Sequence, residues 1–225
     1  KDLVDAVSSS FCAAKWYNAS IWLGNGRTAS CHHPLAHHVK TSEILKDPSA
    51  LHNTAEKKLA RKQMLKGERP PECGYCWRVE DLKNEKIYSD RVFKSMVYTP
   101  ADIIELVDID TEEHVDPKNL EICFDSLCNL ECSYCNPEFS SSWGSDIEKN
   151  GPYDNMKTNG GHTYENDGQI GMPFGTKNTG NFYIKAFFKW YEESLRKNLQ
   201  ELRISGGEPS RSPDFWKLVA MFNKE

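Results

Sequence analysis

Three cysteines in the spacing C-x3-C-x2-C, namely Cys128, Cys132 and Cys135, constrain this chain more than any other feature. They lie in EICFDSLCNLECSYCNP, directly after NLEICFDS, which reads as a short buried strand. Thiolates this close together on a loop bind soft metals. A structural zinc site normally closes with four ligands, and the loop offers no obvious fourth. The spacing therefore predicts an iron–sulfur cluster with one iron left open to a substrate or cofactor. Cys123 is the nearest further thiol, but it sits within the strand and reads as a small apolar core residue.

A second short strand, LQELRIS, ends in Gly206-Gly207-Glu208-Pro209. Between the two strands, YIKAFFKWYEESLRKN places Ile184, Phe187, Phe188, Tyr191 and Leu195 on one helical stripe. Strand, helix and strand in that order predict a βαβ unit with parallel strands, and so an α/β fold.

The cysteine loop with an aromatic before its last Cys (Tyr134), and a following strand that ends in Gly-Gly-Glu, together resemble the radical SAM superfamily. The resemblance implies that Cys128, Cys132 and Cys135 hold a 4Fe–4S cluster whose open iron chelates S-adenosylmethionine (SAM). It implies that Gly206, Gly207 and Glu208 bind the methionine amino group and that Tyr134 sits near the adenine. One electron would then cleave the sulfonium, and a 5′-deoxyadenosyl radical would abstract hydrogen from a substrate, with the protein orienting the cofactors and excluding water. The implied fold is a (β/α) barrel with its site at the C-terminal strand ends. Only about two of the family's six βα units are visible in the sequence, and the interval from Cys135 to Gly206 is long. The chain starts with Lys and stops inside the pattern DFWKLVAMFNKE, so a fragment with a truncated, partial barrel is expected.

Four more cysteines stand in the first third of the chain. Cys12 and Cys31 flank YNASIWLGNGRTAS, which reads as a hairpin around Gly24-Asn25-Gly26. Cys73 and Cys76 form a CxxC in MLKGERPPECGYCWRVE. The run Cys12-x13-Gly26-x4-Cys31 resembles the opening of SPASM and twitch domains, which carry auxiliary iron–sulfur clusters in radical SAM enzymes. On that resemblance Cys12, Cys31, Cys73 and Cys76 close an auxiliary 4Fe–4S cluster. Zinc on the same four thiolates is the alternative, and unligated cysteines are a third. The whole chain looks like twitch-type radical SAM proteins of phage and metagenomic origin, with the small α+β twitch-like part ahead of the core; SSSWGSDI after the cysteine loop fits that group. His32, His33, His37 and His38 read as surface residues rather than ligands. Trp16, Trp22, Trp77, Trp143 and Trp190 read as core or interface residues.

The expected organisation is an auxiliary-cluster domain over residues 1–100, an acidic linker over 101–117 with seven acids and no Lys or Arg, and the start of the radical SAM core over 118–225. A helix is expected to begin at Asn53, with Glu56 as capping partner, and to end at Gly67. KIYSDRVFKSMVY reads as strand-rich. Residues 151–180 hold seven of the chain's fourteen glycines without periodicity and read as a long loop, a lid or disorder.

A net charge of −5 with no long basic run disfavours nucleic acid as a partner. No apolar stretch approaches the roughly 20 residues of a membrane span. Two closely spaced cysteine pairs in a chain this long favour metal or redox chemistry in a reducing cytoplasm over a disulfide scaffold. The partners this implies are a peptide or small-molecule substrate and an electron donor such as flavodoxin or ferredoxin. Peptide modification rests on family analogy. A small molecule or nucleoside as substrate, and a non-catalytic iron–sulfur or zinc module, are the alternatives.

Overall fold

A computed structural model describes residues 1–84, 86–107, 109–110, 113–137, 139–151 and 181–222. The expected lid or disordered loop at 151–180 lies, apart from Gly151, outside these residues. The strands are β1 (Asn18–Trp22), β2 (Arg27–Ala29), β3 (His37–His38), β4 (Asn119–Cys123) and β5 (Glu201–Ser205). They form a five-stranded sheet in the order β3-β2-β1-β4-β5. Its two halves have opposite logic. β2 and β3 pair antiparallel, Thr28 opposite His37. β1 and β4 run parallel: Lys118 N–H donates to Tyr17 O at 2.9 Å and Leu23 N–H to Cys123 O at 2.8 Å, so the pairing advances in the same direction on both. β4 and β5 also run parallel, with Gln200 N–H donating to Lys118 O at 2.8 Å and Glu208 N–H to Leu127 O at 2.8 Å. The βαβ reading of the sequence is therefore present in a mixed α/β sheet.

The principal helices are α1 (Ala55–Leu65), α2 (Gly74–Asp81), α3 (Asp90–Ser95), α4 (Pro100–Glu105), α5 (Ser141–Asn150), α6 (Phe182–Trp190) and α7 (Pro213–Phe222). None of the described helices is long and apolar enough to cross a membrane. The cap of α1 falls one residue after the expected one. Thr54 Oγ1 accepts from Lys57 N–H, and the Asn53 side chain instead clamps the Val115 backbone, donating to its O and accepting from its N–H, both at 3.2 Å. Gly67 ends the helix as expected, at φ +76°. Gly67 N–H donates to Met64 O and Glu68 N–H to Gln63 O, which closes the helix in a Schellman turn.

KIYSDRVFKSMVY contains α3 where strands are expected. The helix buries Arg91, Val92 and Ser95, while Ile87, Tyr88, Phe93 and Val97 stay exposed. α6 continues past Trp190 through a wider turn, Tyr191–Leu195, and ends at Asn198. The five residues of its predicted stripe are all buried.

The chain divides into two compact units. The first comprises Lys1–Ile21, Arg27–Leu120 and Lys189–Leu202. Its core gathers Phe11, Trp16, Tyr17, Met64, Trp77 and Tyr98, together with Ile103, Leu106 and Val115 from the acidic segment. The expected linker at 101–117 is thus part of this core: α4 is held by a capping box between Thr99 and Asp102, and Asp116 accepts from Trp190 Nε1, Ser194 Oγ and Asn198 Nδ2. The segment reads as solvated by charge, yet its three apolar residues face inward, while Asp102 caps α4 and Asp116 fastens the end of α6. The second unit comprises Trp22–Gly26, Glu121–Phe188 and Arg203–Glu225, so the expected boundaries at 100 and 117 are not those of the compact units. Asn181 organises it locally. Its Oδ1 accepts from Tyr183 and Ile184 N–H at the start of α6, and its Nδ2 donates to Leu23 O. Gly26, at φ +67°, lies where any Cβ would strike the Tyr183 ring at 2.1 Å.

Candidate functional site

In the second unit, β4 delivers the chain into the three-cysteine loop. A serine run at the start of α5 holds the loop's backbone. Ser141 Oγ accepts from Cys128 N–H at 3.0 Å and donates to Cys128 O at 3.1 Å, and Ser142 Oγ donates to the same carbonyl at 2.9 Å. Ser140 caps α5 through Trp143 N–H and donates to Leu130 O at 2.9 Å. Trp143 Nε1 donates to Cys132 O at 3.0 Å. Trp143 therefore acts as a loop clamp, a role the sequence reading did not assign. Cys135 N–H donates to Cys132 O at 2.9 Å, which curls the C-terminal part of the loop into a turn. Cys128, Cys132 and Cys135 are all partly exposed. Burial pushes the Cys135 thiol up, and the neighbouring Cys128 and Cys132 add to this.

The Gly-Gly-Glu strand end lies beside the start of this loop. Gly206 has φ +123°, and a Cβ there would stand 2.6 Å from Asp125 O and 2.8 Å from Cys123 Sγ. On Gly207 a Cβ would stand 2.4 Å from Leu127 O. The two glycines are thus required by the closeness of the 123–127 backbone, into which no side chain fits. Glu208 N–H is anchored to Leu127 O, and its exposed carboxylate accepts from Ser210 N–H at 3.2 Å and Ser210 Oγ at 2.8 Å. Those bonds hold its pKa below the ordinary carboxylate range. Asp125, absent from the sequence reading, knits the strand ends: it accepts from Leu127 N–H and from Ser212 Oγ at 2.6 Å. Tyr134 is 90% exposed, and the Cys132 thiol beside it raises its phenol pKa. Cys123 is buried, donates to Asp125 O at 3.3 Å, and is pushed up to about 12 by burial. It has the character of the core cysteine expected from its place in the strand.

The other four cysteines come together within the first unit. Cys12, Cys31 and the Cys73/Cys76 pair, from three separate stretches of chain, line one cavity with Lys15, Ser30, Asp90, Arg91 and Lys94. Cys73 precedes α2 and Cys76 lies in its first turn. Burial pushes the Cys12 thiol up to about 11 and Cys73 to about 12, and raises Cys76 as well. Each of these is raised further by a neighbouring thiol of the group. All eight cysteines are free.

Beside the cavity stands a set of buried cations with no sequence signal. Lys15, Lys57 and Arg61 are each at most 4% exposed. Lys15 Nζ reaches Glu72 Oε1 at 2.5 Å. Burial lowers the Lys15 pKa, but attraction to Cys73 and Glu72 outweighs it and the net shift is upward. Lys57 Nζ donates to Thr28 Oγ1 at 2.8 Å, Ala29 O at 3.2 Å and His52 Nδ1 at 3.2 Å. Three acceptors fit an ammonium, although burial and Arg61 pull its pKa well down. Arg61 donates to Lys15 O and Asn53 Oδ1.

His33 and His32 approach Asp90 Oδ2 at 2.8 and 3.6 Å. Together they form the set of described residues whose ligand atoms all lie within 4.8 Å of one another. Lys94 donates to His32 Nδ1 at 3.2 Å, and the His33 ring stacks on Tyr75 at 3.7 Å. Of the two imidazoles, His33 is the one within hydrogen-bond distance of Asp90, while His32 is engaged by Lys94. Asp90 lies 57 residues from His33, which no local pattern could reveal.

No family model matches the chain, and no curated protein or solved structure gives a match.

Proposed function

We propose that the chain is a radical SAM enzyme with a second, auxiliary iron–sulfur site. The observation that carries this reading is the meeting of two motifs far apart in sequence: the Gly-Gly-Glu strand end hydrogen-bonds to the backbone that leads into the three-cysteine loop. The donor set suits the cofactor. Three partly exposed thiols on a clamped loop match a cluster with one open position. Cys128, Cys132 and Cys135 would hold that 4Fe–4S cluster. Gly206 and Gly207 keep the strand end free of side chains, and Glu208 would accept from the amino group of SAM. Tyr134 would stand near the adenine. The chemistry supplied by cluster and SAM together, when bound, is one-electron cleavage of the sulfonium to a 5′-deoxyadenosyl radical that takes hydrogen from a substrate. The protein's own part is to fix the loop through Ser140, Ser141, Ser142 and Trp143 and to aim the strand end.

Cys12, Cys31, Cys73 and Cys76 would hold an auxiliary 4Fe–4S cluster. Tetrahedral zinc at Zn–S distances of about 2.3 Å draws its thiolates to within about 3.8 Å of one another. Among the described residues no three of these sulfurs lie within 4.8 Å of one another, so zinc would have to draw them together. Buried Lys15 and Arg61, with Glu72 the only carboxylate in ion-pair reach of either among the described residues, favour an anionic thiolate centre over four neutral thiols. The architecture we propose is a partial (β/α) radical SAM barrel preceded by a SPASM/twitch-like part. The substrate class is a peptide by family analogy, with flavodoxin or ferredoxin as electron donor and a reducing cytoplasm as the compartment, in keeping with eight free cysteines.

The test is iron per chain after anaerobic reconstitution, for the parent and for a variant with Cys128, Cys132 and Cys135 all changed to Ala. About eight irons falling to about four is the expected result. About four falling to none would remove the auxiliary cluster, and an unchanged count would remove the radical SAM site.

A further inference from the structure

The four-cysteine cavity carries two polar groups whose placement its packing alone does not explain. Ser30 is 3% exposed, lines the cavity, and its hydroxyl has no hydrogen-bond partner among the described residues. A buried hydroxyl left without a partner is destabilising, so its position calls for an acceptor. Lys15 is 4% exposed and lines the same cavity. Its one carboxylate partner, Glu72, is 40% exposed and so partly solvated. Behind Lys15, Lys57 and Arg61 add two more buried cations, and no salt bridge to either is found among the described residues. The cavity wall holds four thiols, one orphan hydroxyl donor and the cations Lys15, Arg91 and Lys94 against one carboxylate, Asp90, a lining that suits an anion.

We propose that Lys15 and Ser30 face the group held by Cys12, Cys31, Cys73 and Cys76 and set its reduction potential, Lys15 as a fixed positive charge and Ser30 as a hydrogen-bond donor to sulfur. This rests on the auxiliary-cluster reading of those cysteines. The sign follows from electrostatics. Adding an electron makes a thiolate-ligated cluster more negative, and a nearby cation or hydrogen-bond donor stabilises the reduced form more than the oxidised one. Both residues therefore raise the potential. They are positioning residues, and neither is a ligand.

The test uses the full chain with Cys128, Cys132 and Cys135 changed to Ala, so that one site remains. After reconstitution with iron and sulfide, iron content is measured first and a dithionite titration followed by EPR gives the potential. Lys15→Met is expected to move the potential to more negative values, and Ser30→Ala to move it the same way by less. Lys15→Arg is expected to stay near the parent, and Lys40→Met, which removes an exposed lysine 60% accessible, to leave it unchanged. Unaltered potentials in both Lys15→Met and Ser30→Ala, at full iron content, would overturn the inference and leave the cluster reading standing. If the parent background itself binds no iron, the cluster reading falls and the inference with it. Should Lys15→Met fail to fold or load, the Ser30→Ala shift decides, since it removes no charge and a single oxygen.

Discussion

His52 sits fully buried between two cations, accepting from Lys57 at Nδ1 and donating from Nε2 to Trp16 O at 2.6 Å. Burial first, and then Lys57 and Arg61, drive its pKa well below the ordinary value. The folded protein therefore keeps this imidazole neutral where the unfolded chain takes up a proton near pH 6.5. With the folded pKa depressed, the unfolded state binds more protons below that value. Stability contributed by a neutral His52 is full above about pH 6.5 and declines as pH falls from there toward the folded pKa. Urea unfolding at pH 7.5 and pH 5.5 should show the loss, and His52→Gln should flatten the difference between the two while lowering stability at both. An equal difference in parent and variant would assign the pH dependence elsewhere. At this scale the sequence was least legible. Ser30, Lys15 and Asp90 carry no motif, and they acquire meaning only when Cys31, Cys73 and His33 are brought beside them. The grouping of Cys12, Cys31, Cys73 and Cys76 around one cavity was legible from their resemblance to an auxiliary-cluster motif.

The elements explain why two distant motifs meet. β4 and β5 run parallel and adjacent, so their C-terminal ends emerge side by side, and whatever follows each strand is held against the other. This much could be read from strand, helix and strand in order, and the α6 stripe and the Gly67 stop were equally legible because periodicity and positive φ leave local signatures. What was not legible came from residues with two uses. Val92 and its neighbours fit a strand or a helix by composition, and burial on one face chose the helix. The acids of 101–117 read as solvated, whereas Asp102 and Asp116 are hydrogen-bonded to caps and to the end of α6 and Ile103 lies in the core. The strand-end contact makes a direct prediction. Gly207→Ala places a methyl 2.4 Å from Leu127 O, backbone that cannot yield cheaply. Overpacking of this kind typically costs about 1–3 kcal/mol. A lowered urea midpoint together with poorer iron retention at the three-cysteine loop is expected. Unchanged stability would mean that the two strand ends do not meet so closely.

At the scale of the whole molecule, the proposed chemistry needs both motifs at once. A zinc or electron-transfer module also has use for the cysteines, and the glycines of the strand end are required by the 123–127 backbone in any case, so SAM binding is what separates the readings. The mixed sheet supplies the parallel strands that such a site requires, and the hairpin that the sequence pattern assigned to a separate first domain contributes β1 to the same sheet as β4. The decisive measurement is the EPR spectrum of the reconstituted, dithionite-reduced protein before and after addition of SAM, in the parent and in the Cys128, Cys132, Cys135→Ala variant. SAM is expected to alter the parent's signal and to leave the variant's untouched. A parent spectrum indifferent to SAM, at full iron content, would contradict the radical SAM reading.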